Sequence, residues 1–158
     1  MTTAEKLLLL LEQNQAQFKI MAHEATGKCE AVAAIRGTEI GQGAKALVCH
    51  VKGNGQQQYV LAVLPADMQA DLTKVAHAVG GLRASLASPA EVERLTGCVF
   101  GAIPPFSFHP ELKLVVDPSL CQRNREVAFN AGTLERSVVM DAGDYQRIAE
   151  PTEVNIIK

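Results

Sequence analysis

Hydrophobic and polar positions alternate in recognisable blocks along the chain. Leu7 to Leu11 form an unbroken apolar run with Glu5 before it and Glu12 after it. Thr2 and Glu5 have the spacing of a capping box, so the pattern predicts a first helix reaching about Asn14. The flanking acids and the lack of a small-residue cleavage site after the run argue for a helix rather than a secretory signal. Phe18 to Ala22 reads as a short strand. Thr26 and Gly27 can start a second helix over residues 28–36, closed by Gly37.

A hairpin follows. Residues 44–51 are rich in β formers, residues 52–55 (Lys-Gly-Asn-Gly) make the turn, and residues 59–64 return. Pro65 stops the strand. Asp67 is expected to cap a helix to Val79, with Leu72, Val75, Ala76 and Val79 on one face. A strand is predicted at residues 82–86. Ser88-Pro-Ala-Glu91 is the strongest helix start in the chain: a Ser cap, Pro at the first helical position and Glu able to reach back. Gly97 ends that helix. Beyond it, residues 102–110 hold three prolines and two phenylalanines in a loop. Strands are expected at residues 112–117, 126–130 and 137–140, then a helix capped by Asp141 and a short last strand at residues 154–157.

Strands and helices interleave without an internal repeat or linker, so the pattern predicts an α/β or α+β fold in one domain, residues 1–158. The hairpin argues against a purely parallel sheet.

Composition sharpens this. With 47% apolar residues the chain can fill a core without a disulfide or a metal. A net charge of -2 is not the footprint of a protein that wraps duplex DNA or RNA. It leaves room for a single-stranded end, which needs few phosphate contacts. No apolar run approaches the ~20 residues of a membrane span. Cys29, Cys49, Cys98 and Cys121 lack C-x-x-C spacing and read as buried thiols of a reducing cytoplasm. A zinc site using Cys49 and His50 is disfavoured, because neighbours on a strand face opposite ways. The reading requires no cofactor and no metal.

Candidate chemistry gathers at two places. Lys45 lies at the entrance of an apolar strand beside Gly41-Gln-Gly43. Its ammonium can bind a phosphate or polarise an ester carbonyl there, or simply be solvated. The second place is residues 97–110, where Gly101 and Pro105 bracket a stiff loop. Glycine lets a ligand approach the backbone, prolines hold the loop without a ligand, and Phe106 and Phe108 can form an apolar wall. The alternative is a structural turn with core phenylalanines. His23 and His109 can bind ribose or phosphate or act as a base, or be ordinary hydrogen-bonded histidines. No Gly-x-Ser-x-Gly elbow, dinucleotide fingerprint or phosphate loop is present.

In this order the features resemble the YbaK / prolyl-tRNA-synthetase editing family. The likeness runs through His23 before the Thr26 helix start, Lys45 in GAKALV, the Ser88 helix with Thr96-Gly97, the Gly101 to Pro105 loop, VVDPSL, and FNAG at residues 129–132. The resemblance implies a mixed, mostly antiparallel, barrel-like sheet surrounded by helices. It also implies a trans-acting hydrolase of the aminoacyl ester at a tRNA 3′ end, with a synthetase as a further possible partner. Lys45 and Gly101 match the catalytic positions. Together with the residue reading this gives His23, Thr26, Ala46, Ile103, Pro104, Pro105, Phe106, His109 and Gly132 as the positions expected around the substrate. The loop is bulkier than in the cysteine-clearing branch, and Ala46 stands where some alanine-clearing members have Asn. Both leave the amino acid open, while the bulk of Ile103, Pro104 and Phe106 suggests alanine, serine or threonine. A noncatalytic module binding a tRNA end or an aminoacyl metabolite, and a small-ester hydrolase, are the alternatives.

Overall fold

The structure is a computed structural model that describes residues 1–25 and 29–158, with the side chain of Cys29 excepted. In chain order its elements are α1 (Thr3–Gln13), β1 (Phe18–Ala22), α2 (Cys29–Arg36), a 3-10 turn (Ile40–Gln42), β2 (Ala44–Gly53) and β3 (Gln56–Pro65). There follow α3 (Leu72–Ala78), β4 (Arg83–Leu86), α4 (Pro89–Thr96), β5 (Leu112–Val116), α5 (Ser119–Arg123), β6 (Glu126–Asn130), β7 (Arg136–Asp141), α6 (Ala142–Ala149) and β8 (Thr152–Glu153).

Local chemistry explains most boundaries. Both capping boxes form, Thr2 with Glu5 and Ser88 with Glu91. Leu7 and Leu11, one turn apart on α1, are fully buried. Each such leucine contributes about 1.5–3 kcal/mol over an exposed one. Gly53 pairs with Gln56, so Asn54 and Gly55 make a two-residue turn, both with positive φ (56° and 75°). This carries β3 three residues further back, through Gln56 to Gln58, than its apolar run suggested.

Other boundaries depart from the sequence pattern. Asp71 caps α3, accepting from the Lys74 amide, and Asp67 does not. α5 was not anticipated. It starts where the buried Asp117 carboxylate accepts from the Ser119 amide and hydroxyl, while its other oxygen holds the Ile156 amide. The last strand is Thr152–Glu153, parallel to β5, and the predicted stretch beyond it contributes a lone bridge from Ile157 to Ala70.

The strands form a three-stranded sheet, order β1-β7-β6, and a five-stranded sheet, order β4-β2-β3-β5-β8. Pairing is antiparallel except between β3 and β5 and between β5 and β8. The fold is thus α+β, mixed and mostly antiparallel, as expected. It is not closed into a barrel: the sheets touch through one bridge, Gly43 to Ala128. A large core, including Leu7, Leu61, Phe129, Val138 and Tyr145, fills the space between them. A smaller one around Val60, Val75 and Ile156 lies under α3. Among the described residues no helix is long and apolar enough to cross a membrane.

Cys49 and His50 do face opposite ways. Cys49 is buried, and burial pushes its thiol up to about 11, whereas His50 stacks on Tyr59 with ring centroids 4.8 Å apart.

Candidate active site

The bridge between the sheets marks the site. Gly43 and Ala128 both line a cavity of about 110 Å³ whose other walls come from α2, the start of β2 and the Gly101 loop. Small side chains dominate: Ala33, Ala44, Ala46, Ala66 and Ala128 all reach it. The charged groups on it are Arg36 and Lys45, and no carboxylate is found on its walls among the described residues. A chain of net charge -2 therefore presents two cations to one cavity, an arrangement that favours an anionic or carbonyl-bearing ligand.

Lys45 is half-buried, and its Nζ donates to the carbonyl of Met68 at 2.8 Å. The turn that carries Met68 is fastened in its own right. Asp67 accepts two hydrogen bonds from Arg123 of α5, at 3.0 and 2.8 Å. That guanidinium holds the Asp67 carboxyl below its ordinary range, with a smaller pull from Lys45. Gly41 permits the pair: a Cβ there would lie 2.5 Å from Arg123 Nη2 and 2.7 Å from Asp67 Oδ2. Asp67, expected to cap a helix, instead clamps the turn beneath the site lysine.

The Gly101 loop is held just as firmly. Gly101 has φ +86°, a left-handed conformation that suits glycine. Its carbonyl accepts from Asn130 Nδ2 at 2.8 Å, and the next carbonyl, Ala102, accepts from the Gly132 amide at 2.9 Å. Two successive loop carbonyls are thus pinned by two residues of the FNAG segment. Further along, the Tyr145 hydroxyl donates to the Pro105 carbonyl at 2.7 Å.

Asn130 belongs to a buried polar chain. Its Oδ1 accepts from Arg36 Nη2 (3.1 Å) and from the Ser137 hydroxyl (3.2 Å), and Arg36 Nε donates to Ser137 Oγ (2.9 Å). Asn130 and Ser137 are register partners on β6 and β7. His23 closes the chain, with Nε2 2.8 Å from Ser137 Oγ and Nδ1 2.8 Å from the Glu24 carbonyl. A carbonyl only accepts, so Nδ1 carries a proton.

Comparison with known proteins gives the family. The aminoacyl-tRNA editing domain model matches residues 23–148, which include every residue of the polar chain. The chain belongs to the aminoacyl-tRNA editing family. It is 65% identical over 153 residues to the multifunctional Ser/Thr-tRNA deacylase ProXp-y of Escherichia coli strain K12, covering 97% of this chain and 92% of that protein. The same figures hold for the protein of that name in E. coli O157:H7. Among solved structures, a proposed trans-editing enzyme for prolyl-tRNA synthetase superposes with TM-score 0.81 at 23% identity, over 100% of this chain and 98% of that one. At that identity the superposition speaks for the fold.

In this editing domain the sequence-predicted residues divide. Lys45, Ala46, Gly101 and Ile103 meet on the cavity. His23 stands behind it and reaches it through Ser137 and Arg36. Gly132 acts from outside, through the Ala102 carbonyl. Thr26 lies outside the described residues. Pro104 and Pro105 are buried off the cavity wall. Phe106 is a core residue, edge-on to Phe129 (5.9 Å) and Tyr145 (5.1 Å), so it supports the loop from beneath. His109 is likewise away from the cavity, its Nδ1 accepting from the Glu111 amide at 3.1 Å.

Sequence reasoning missed Arg36, Asn130, Ser137 and Phe100. Arg36 reads as an ordinary cation in the last turn of a helix. Asn130 and Ser137 carried a usable signal, being polar residues that directly adjoin the apolar stretches Val127–Phe129 of β6 and Val138–Met140 of β7. Buried polar groups of this kind are hydrogen-bonded for a reason.

Proposed function

We propose that this editing domain, spanning residues 1–158, is a trans-acting deacylase that removes serine or threonine from mischarged tRNA, and that the Lys45–Gly101 cavity is where the ester is cut. The observation that carries the reading is the make-up of the cavity. It joins two cations and a fixed glycine turn to small apolar walls, with no Asp, Glu, His, Cys, Ser, Thr or Tyr side chain lining it among the described residues. Such walls supply binding, orientation and charge stabilisation but no hydroxyl, thiol, carboxylate or imidazole nucleophile.

The chemistry then runs through water. A water oxygen attacks the acyl carbon, the carbonyl becomes an oxyanion, and the C–O bond to the ribose breaks as the ribose oxygen takes a proton. The neighbouring ribose hydroxyl of the substrate orients the water and relays the proton. Lys45 uses one N–H on Met68 and has further donors for the carbonyl or the terminal phosphate. In the loop, the Ala102 amide donates to Val99 at 3.1 Å, so we assign the Gly101 amide to the developing oxyanion.

Serine and threonine fit for two reasons. A relative 65% identical across nearly the whole chain bears the name Ser/Thr-tRNA deacylase. In addition, Asn130 and Arg36 give the cavity one polar edge that can meet a side-chain hydroxyl. A site that hydrogen-bonds a hydroxyl discriminates against analogues lacking it far better than an apolar pocket separates methylenes. The enzyme acts in the cytoplasm, where tRNA is charged, and can receive its substrate from a synthetase. A panel of mischarged tRNAs tests this: seryl- and threonyl-tRNA are hydrolysed fastest. Tight binding of seryl-tRNA with no release of serine would contradict it.

A further inference from the structure

Phe100 is out of place as a core residue. It lines the cavity, yet its side chain is 70% exposed, and Val99 beside it is 64% exposed. Of the nearby phenylalanines, Phe106 and Phe129 are 4% and 2% exposed and Phe108 is half-buried, so the core next door does take aromatic rings. Phe100 follows the left-handed Gly97 cap of α4 and directly precedes Gly101, so the turn pinned at the Gly101 carbonyl also fixes where this ring emerges. Exposed aromatic surface at the rim of a binding cavity marks a contact site.

We propose that Phe100 is the platform on which the terminal adenine of the tRNA stacks. This rests on reading the cavity as the ester site. The ester hangs from a ribose, and the base hangs from the same ribose, so an acyl group inside the cavity puts the base at its mouth. The flat, uncharged face of Phe100 suits a π-stacked base and not a phosphate, which would seek the Lys45 and Arg36 side of the cavity. The stack holds the nucleoside end while Gly101 and Lys45 act on the acyl end, so Phe100 is a binding residue with little part in the chemical step.

The chain contains no tryptophan, so Phe100→Trp introduces a single tryptophan, excited apart from the two tyrosines, at this spot. The probe is an RNA minihelix with serine joined to its 3′ end by a stable amide, made once with a terminal adenine and once with an abasic terminal sugar. Quenching by the adenine form, with binding at least about tenfold tighter than the abasic form, is expected. In deacylation of seryl minihelix, Phe100→Ala raises KM roughly tenfold to a hundredfold with kcat within about twofold of wild type. Phe100→Tyr restores KM and Phe100→Leu does not. Equal binding of the adenine and abasic forms would overturn the proposal. So would full rescue by leucine, which would mark a plain apolar contact such as one made to a partner protein. Absence of deacylation by the wild type would instead strike the reading of the cavity as the ester site.

Discussion

Asn130 Nδ2 donates to the carbonyl of Gly101 at 2.8 Å across 29 residues of sequence. The same side chain accepts from Arg36 and Ser137. One amide group therefore faces both ways, outward to the loop on the cavity wall and inward to a buried polar chain.

That double role is separable. Asn130→Asp keeps an acceptor for Arg36 and Ser137 but loses the donor to Gly101. It should fold with stability near wild type and lose at least about tenfold in kcat with KM little changed. Asn130→Ala removes both and leaves buried donors unmatched, a loss of about 1–3 kcal/mol. Urea unfolding and steady-state deacylation on the two variants check this; equal kcat in Asn130→Asp and wild type would show that the loop does not need the bond.

Gly101→Ala tests the turn itself. A φ of +86° costs a β-carbon-bearing residue about 1–2 kcal/mol, and relief of that strain would turn the amide away from the cavity. The variant should remain folded, melt a few degrees lower and lose most of its kcat. A wild-type rate would remove the Gly101 amide from the mechanism.

How much of this was legible beforehand follows from the range of the forces involved. The capping boxes at Thr2 and Ser88 and the β2–β3 hairpin rest on contacts within a few residues and form where expected, although the turn narrows from residues 52–55 to Asn54-Gly55 and the last strand falls at Thr152–Glu153 instead of 154–157. Asp67 and Asp71 lie four apart before the same helix, and nothing local says which one caps it; Arg123, far along the chain, claims the first. The site was half visible. Lys45 and Gly101 stand in recognisable local settings, whereas Arg36 meets Asn130 and Ser137 across 94 and 101 residues of sequence. Phe106 reads equally as wall or as core, because a phenylalanine in a loop does not announce which way its ring turns.

The clamp beneath Lys45 gives a third prediction. The Asp67–Arg123 pair is more than one-third exposed on each side, so its loss should cost no more than about 1 kcal/mol. Its effect on rate should be larger, because the turn it fastens carries the Met68 carbonyl that holds Lys45. Asp67→Asn is expected to lower kcat several-fold while shifting the melting temperature by little. A variant with proportionate losses in stability and rate would reduce the pair to a structural role. Gly41→Ala, which drives a methyl into the same pair, should match its kinetics.

Acid behaviour reports on the far side of the molecule. The Tyr59 hydroxyl, helped by Ser88, holds the Glu91 carboxyl at about 2 against an ordinary 4.5. A lowered folded value means stabilisation that is complete above 4.5 and lost as pH falls through about 2. Tyr59→Phe should therefore be less stable than wild type above pH 4.5, with the gap narrowing toward pH 2. Carboxyl NMR titration should show Glu91 moving up toward its ordinary value in that variant. An unchanged titration would mean that the hydroxyl does not set it.

In the proposed mechanism an ammonium fixed on the Met68 carbonyl and a glycine turn fixed by Asn130 act together on one ester. Single-turnover hydrolysis of seryl-tRNA by wild type and Lys45→Ala, with melting curves on both, tests it most directly. A rate reduced by ~10²–10³ in a variant that melts like wild type is the expected result. A Lys45→Ala enzyme that releases serine at the wild-type rate would contradict the account.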